Sequence, residues 1–398
     1  MQLNTLIKNI LQKITPSEEE NQHIKKVLRE VLQNIQIKDA KILPGGSWAK
    51  DTRLQDTHEV DLFVKFNYQK YKDKSDRLSE FVKKALEKKF KVQTLRGSRD
   101  YFQIMKEGIT FEIIPILSIR KASRARNITD ISPLHTAWVK KHKKQHEICL
   151  VKAFAYAQHV YGAETHMRGF SGYVLEILTI HYGSFLKLIH AASQWKEKTV
   201  IDHEHLLHHP IRELNASKLS SPLILVDPVD KTRNAAAVLS QEKYDLFIKS
   251  CRLFLKKPSG KFFVRKQEII PHLALVVEMP AKGKPDVIGG QSYSFFRKVK
   301  KQLELHGFKV LKSGLSVNLK VIQWFKLHSL LLPKKITVRG PPITLQHHKE
   351  KFRKKHREVF FLKGIIYARE KRKYQRAEDL VRNLLRKEKK KFVVKIQK

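Results

Sequence analysis

Cysteine is nearly absent. With only Cys149 and Cys251 in 398 residues, a disulfide framework and a cysteine-based zinc site are both excluded, and a reducing cytoplasm is the expected setting. No stretch approaches 18 consecutive apolar residues, so a membrane-spanning helix is excluded as well. The first 21 residues are charged and amphipathic and lack the apolar centre of a secretion signal. No internal repeat is visible. Acidic residues are scarce: 38 Asp and Glu face 80 Lys and Arg, a formal charge of +42. Such a field repels cations and attracts polyanions, and each neutralised phosphate releases a counterion. Nucleic acid is therefore the expected partner, although a charge this high also serves solubility.

What is present describes a folded, multidomain chain. Hydrophobic residues make up 41% and aromatics 9%, and the length suits two to four domains. Residues 4–13 and 17–36 read as helices; in the second, Ile24, Val27, Leu28, Val31, Leu32 and Ile35 recur at helical spacing. A short apolar segment at Lys41 to Leu43 leads into the turn Gly45-Gly46-Ser47. A short helix from Trp48 to Leu54 and a strand from Glu59 to Phe66 follow. Residues 74–90 read as helical, and segments near 91–95, 101–106 and 109–117 as strands. From 134 to about 195 the pattern is helical. A strand at Leu223 to Asp227 precedes helices from about Arg233 and through Tyr244 to Phe254. Lys257-Pro258-Ser259-Gly260 marks a boundary, after which strands (Ala274 to Met279) and a helix (Tyr293 to His306) alternate. Residues 349–398 hold 20 Lys and Arg against 6 Asp and Glu, yet Leu380, Val381, Leu384 and Leu385 share a helical face, so the basic end is at least partly folded. The expected class is α+β multidomain: a mixed-sheet head with helices (1–134), a mainly helical central domain (135–256) and an α/β body and tail (257–398).

The chemistry starts on the strand Glu59-Val60-Asp61. Side chains two apart on a strand face the same way, which sets two carboxylates side by side and Val60, Leu62, Val64 and Phe66 towards a core. Paired carboxylates repel unless a cation lies between them. Magnesium favours carboxylate and phosphate oxygens, and two ions can clamp the attacking and leaving oxygens of a displacement. Alone, such a pair is a common solvated face. Twelve residues before Glu59, however, Ser47 follows two glycines and opens a helical turn, where backbone N–H groups can cradle phosphate. Glu112, an acid inside the apolar run Phe111-Glu112-Ile113-Ile114-Pro115, is the candidate third carboxylate.

These residues resemble the signature of polymerase-beta-type nucleotidyltransferases: Gly46-Ser47-Trp48-Ala49-Lys50-Asp51-Thr52, then Glu59-Val60-Asp61-Leu62-Phe63. The best likeness is to the archaeal, class I CCA-adding tRNA nucleotidyltransferases. It continues through Val151-Lys152-Ala153-Phe154, Val160-Tyr161-Gly162-Ala163-Glu164, Arg168-Gly169-Phe170-Ser171-Gly172-Tyr173 and Tyr182-Gly183-Ser184-Phe185. Trp195, Thr199-Val200-Ile201-Asp202, Asp227-Pro228-Val229-Asp230 with Arg233-Asn234, and Lys284-Pro285-Asp286 extend it over most of the chain. The resemblance implies addition of C, C and A to the tRNA 3′ end from CTP and ATP, without a nucleic-acid template. It implies that Glu59, Asp61 and Glu112 bind two magnesium ions. Gly46, Ser47 and Lys50 would hold the triphosphate, aided by His135, Lys152 and Tyr161, and Arg233 would read the incoming base. Glu112 stands where the family more often has aspartate. Lys50 stands where some members have arginine, and it supplies a charge without the bidentate fork. A poly(A) polymerase and a non-catalytic RNA-binding relative are the alternatives, and a homodimer is left open.

Two histidine groups carry no expected function. His203-Glu204-His205-Leu206-Leu207-His208-His209 has no histidine four places after His203, so it fails the helical zinc-protease register. His142 and His146, one helical turn apart among lysines, read as a solvated face.

Overall fold

The computed structural model describes residues 3–265, 270–281, 285–317, 320–388 and 392–397. Of the Lys284-Pro285-Asp286 motif, Lys284 lies outside the described residues. The chain divides into two compact units, Met1–Lys266 and Gln267–Lys398.

The first unit begins with α1 (Leu3–Ile14) and α2 (Glu18–Asn34), the latter capped by Ser17, whose side chain accepts from the Glu20 amide. Strand β1 (Ala40–Pro44), the one-turn helix α3 (Gly46–Lys50) and strand β2 (Glu59–Phe66) follow. After α4 (Tyr68–Tyr71), a 3-10 segment and α5 (Leu78–Leu86) come β3 (Gln93–Leu95), β4 (Tyr101–Lys106) and β5 (Ile109–Leu117). These strands form one sheet in the order β1-β2-β5-β4-β3. Its β2–β5 pair is parallel and the other neighbours are antiparallel. Val60, Leu62 and Val64 are fully buried on one face, against Ile24, Val27 and Val31 of α2 and Val82 of α5. Burying each such side chain is worth about 1.5–3 kcal/mol, so the register of β2 is strongly specified, and with it the opposite face.

The rest of this unit is mainly helical: α6 (Ser132–Lys141), α7 (Gln145–Ala157), α8 (Gly172–Tyr182) and α9 (Phe185–Ser193). Strand β6 (Thr199–Ile201), the short α10 (Pro210–Glu213), strands β7 (Leu223–Asp227) and β8 (Asp230–Asn234), and α11 (Gln241–Lys256) complete it. Phe154, Phe170, Leu175, Phe185, Tyr244, Phe247 and Phe254 form its core. Ile10 of α1 packs there too, as do Phe262 and Phe263, which carries the unit past the Lys257–Gly260 stretch.

Three local expectations change. The helix after the glycine turn ends at Lys50 and not Leu54, because Asp51 adopts the left-handed conformation (φ 54°). The helix expected from residue 74 starts at Leu78, after the 3-10 segment Lys72–Arg77. Arg233 lies on β8 and not at a helix start, since β7 and β8 form a hairpin.

In the second unit, β9 (Leu275–Pro280), α12 (Pro285–Leu305), β10 (Val310–Val317) and β11 (Lys320–Leu327) precede β12 (Lys335–Pro342), α13 (Gln346–Lys355), β13 (Glu358–Leu362) and β14 (Ile365–Lys371). Helix α14 (Ala377–Lys387) and β15 (Val393–Ile396) close the chain. One sheet runs β10-β11-β9-β15 and another β12-β14-β13. Leu380, Val381 and Leu385 of α14 pack with Phe295, Val299 and Phe325, so the apolar stripe read in the basic end is a packed one. The lysines and arginines of α13 stay at the surface.

Candidate active site

The parallel pairing of β2 with β5 sets Asp61 opposite Glu112 and Glu59 opposite Thr110. Adjacent strands lie about 4.8 Å apart, so Glu59, Asp61 and Glu112 share one face of two neighbouring strands. Glu112 also accepts a hydrogen bond of 2.6 Å from Gln103 on β4, which orients it. The Gly45-Gly46 turn lies directly on this face. The Gly45 amide donates to the Asp61 carbonyl at 2.8 Å. A Cβ on Gly46 would stand 1.5 Å from Asp61 Oδ2, and one on Gly45 would enter the Phe63 ring. Gly46 also has φ +55°, so its conformation and the space around it both demand glycine. The carboxyl of Asp61 is held above its usual range, first by burial and further by Glu59, against the opposing pull of Lys50 and Lys152. A cation is what this face lacks electrostatically, and oxygen donors of this kind suit magnesium.

Beside the carboxylates, Glu176 of α8 is fully buried. Lys50 Nζ donates to it at 2.7 Å and Lys152 Nζ at 2.8 Å. Lys152 also donates to the Thr52 hydroxyl at 2.8 Å. Burial pushes the Glu176 carboxyl up, but the Lys152 and Lys50 ammonium groups outweigh that and hold it below its usual range. Two positive charges on one negative leave a surplus positive charge next to Asp61. The Tyr161 ring stacks on Tyr156 at 3.8 Å, and its hydroxyl would stand 2.9 Å from a Cβ on Gly172. Burial raises the Tyr161 phenol above its usual range, so it stays a neutral donor.

A second buried carboxylate, Asp227, organises the remaining candidates. His135 Nε2 lies 3.1 Å and Arg233 Nη1 2.8 Å from its Oδ2, while the Tyr173 hydroxyl donates to Oδ1 at 3.1 Å. The His135 ring stacks on Tyr173 at 3.9 Å. Burial works to raise the Asp227 carboxyl, yet His135 and then Arg233 hold it low. About a third of the Arg233 side chain remains exposed, which leaves it open to a ligand. Tyr173 and Glu176 lie three apart on α8, on one helical face, so a single helix serves both clusters.

The ten candidate residues thus fall into three groups. Glu59, Asp61 and Glu112 gather on the head sheet, with Gly46 and Ser47 beside them on α3. Lys50, Lys152 and Tyr161 gather beside Glu176, and His135 and Arg233 on Asp227. Sequence reasoning missed Glu176 and gave Asp227 no role beyond its place in a family-like motif. The signal was available for Glu176: it is an acid inside the apolar run Val174-Leu175-Glu176-Ile177-Leu178, the same feature that marked Glu112.

Three family models cover the chain. Residues 146–264 match the second domain of tRNA nucleotidyltransferase and residues 273–398 the C-terminal domain of the CCA-adding enzyme. Residues 1–146 match the second messenger oligonucleotide or dinucleotide synthetase domain. The CCA-adding enzyme of Nanoarchaeum equitans is 35% identical over 82% of this chain and 83% of its own length. That of Pyrococcus abyssi is 31% identical over 97% and 90%. The chain belongs to the CCA-adding enzyme family. Among solved structures, the Cid1 poly(U) polymerase shares the fold at a TM-score of 0.52 and 13% identity, over 66% of this chain and 98% of its own. No helix among the described residues is long and apolar enough to cross a membrane.

Proposed function

We infer that this member of the family adds C, C and A to the 3′ end of tRNA from CTP and ATP, without a nucleic-acid template. The observation that carries this reading is the in-register pairing of Asp61 with Glu112 under the Gly45-Gly46 turn, in a chain whose residues 146–264 match a tRNA nucleotidyltransferase domain and 273–398 the C-terminal domain of the CCA-adding enzyme. The 3′-hydroxyl oxygen attacks the α-phosphorus of the incoming triphosphate. The bond from that phosphorus to the bridging oxygen breaks, pyrophosphate leaves with the bonding pair, and the hydroxyl proton passes to water.

Glu59, Asp61 and Glu112 hold two magnesium ions in this proposal. Bound magnesium supplies activation of the hydroxyl and neutralisation of phosphoryl charge. The chain's own residues do the positioning. Gly46 and Ser47 admit the triphosphate close to the backbone. Lys50 and Lys152, held by Glu176, present positive charge to it, and Tyr161 donates a neutral hydrogen bond. Arg233, with His135 beside it on Asp227, faces the base. Preorganised donors of this kind need no rearrangement as charge develops. The division into a catalytic head (1–134), a nucleotide-selecting middle (135–256) and a tRNA-gripping body and tail (257–398) is part of the proposal. The surplus of 14 positive charges in residues 349–398 supports contact with the acceptor arm through phosphates and helical shape. A cytoplasmic setting follows from the substrate.

The test is incorporation. Purified protein, magnesium and tRNA ending before CCA are incubated with each labelled triphosphate. Two C residues followed by one A are expected, while A-only tailing or no incorporation rejects the reading.

A further inference from the structure

The histidine run set aside by its sequence register acquires partners in three dimensions. His142 caps the C-terminus of α6, and His203 and Glu204 lie in the turn after β6. One ligand atom of each comes within 4.8 Å of the others. His142 is therefore not a solvated-face residue: it is half-buried, and its Nε2 is buried without a hydrogen-bond partner. A buried polar atom left unpaired is unfavourable, because it has given up water without gaining a partner. Trp138, one turn before His142, donates to Glu204 Oε1 at 2.7 Å and fixes that carboxylate. The His181 ring of α8 stands 5.7 Å from that of His203.

The geometry points to a binding site for a divalent transition metal of the zinc class, with His142, His203 and Glu204 as ligands. Two imidazoles and one carboxylate match zinc and its neighbours and not magnesium, which prefers oxygen alone. Tetrahedral ligands at about 2.1 Å from a metal lie about 3.4 Å apart, so the three groups need only small rotations to close on one. The fourth position is left to water. The failed sequence register does not bear on this site, because its ligands come from two separate segments. The metal clips the turn at 203–204 to the end of α6, the helix that also carries His135. It is a site separate from Glu59, Asp61 and Glu112, which lie on the head sheet.

The test uses the full chain with both Glu59→Gln and Asp61→Asn, so that the carboxylate face cannot report. After chelation, cobalt(II) is titrated in. One equivalent should bind with the intense visible bands of tetrahedral cobalt and be displaced by zinc. At 100 times its dissociation constant, zinc should raise Tm by roughly 5–10 °C. His142→Ala, and separately His203→Gln in the turn after β6, should each lose the bands and weaken binding at least 100-fold. Absence of the bands overturns the site. So does cobalt binding unchanged in either variant that folds, and His203→Gln, which alters only a turn side chain, keeps the test decisive if His142→Ala does not fold.

Discussion

Replacing Glu176 with Gln isolates the least visible part of the site. The substitution preserves shape and removes one charge from a buried group that neutralises two. Glu176 is fully buried, with Lys152 4% and Lys50 8% exposed. Removing one partner of a buried ion pair costs about 3–5 kcal/mol, because the remaining charge stays desolvated. Lys152 keeps the Thr52 hydroxyl at 2.8 Å and carbonyl at 3.3 Å, which cushions its loss, whereas Lys50 loses the carboxylate it rests on. The lower end, about 3 kcal/mol, is therefore expected. In a unit of this size that lowers Tm by on the order of 10 °C. Thermal unfolding followed by tryptophan fluorescence reads it directly, since Trp48, Trp138 and Trp195 all lie in Met1–Lys266. Because the Glu176 carboxyl is held low in the fold, its contribution is present above the ordinary glutamate range and is lost as pH falls through the depressed value. The difference between the two proteins should accordingly persist at neutral pH and close only in acid. A loss below about 1 kcal/mol at pH 7 would show that the two lysines do not depend on Glu176, and would refute the buried-network argument.

Asp61→Asn should abolish nucleotide addition and yet raise Tm in the absence of metal at neutral pH. The Asp61 carboxyl is held high, so its ionised form costs stability that grows as pH rises through that value and vanishes in acid; an unchanged or lower metal-free Tm at pH 8 contradicts this. Gly46→Ala places a methyl 1.5 Å from Asp61 Oδ2 at φ +55°. Activity should fall at least 100-fold in a single-turnover assay, and near-normal turnover would mean that the turn does not lie on the carboxylate face. Asp227→Asn weakens the anchor shared by His135, Arg233 and Tyr173. Misincorporation of U or G by sequencing of the products should rise, with a Tm loss equivalent to about 1–3 kcal/mol. Selectivity equal to the parent protein would remove Arg233 from base reading.

Much of the head is legible in the sequence. The alternation in Glu59 to Phe66 puts Val60, Leu62 and Val64 inside and the two acids on the other face, because a strand offers only two faces and the apolar set claims one. The glycine pair announces a turn that tolerates no side chain, and the structure shows which side chain excludes it. The stripe Leu380, Val381, Leu384 and Leu385 marks a helix inside the basic end, and a helix is there. Propensity misleads where the backbone conformation departs from it: Asp51 in the left-handed region cuts α3 short, and the β7–β8 hairpin carries Arg233 in place of a helix start.

The sequence by itself determined the family and marked the candidate residues for its chemistry, because periodicity and motif are properties of neighbours along the chain. Only the tertiary structure decided which distant residues meet. The parallel pairing of β2 with β5 brings Glu112 beside Asp61 across 51 positions of chain. Glu176 joins Lys50 across 126 positions, and Asp227 joins His135 across 92. Nothing local specifies such pairings; they arise because a buried charge is tolerable only against an opposite one, and packing of the whole unit selects which. The same holds for His142, His203 and Glu204: as sequence, a solvated pair and a failed motif, and in the fold, three metal-binding groups within reach of one another.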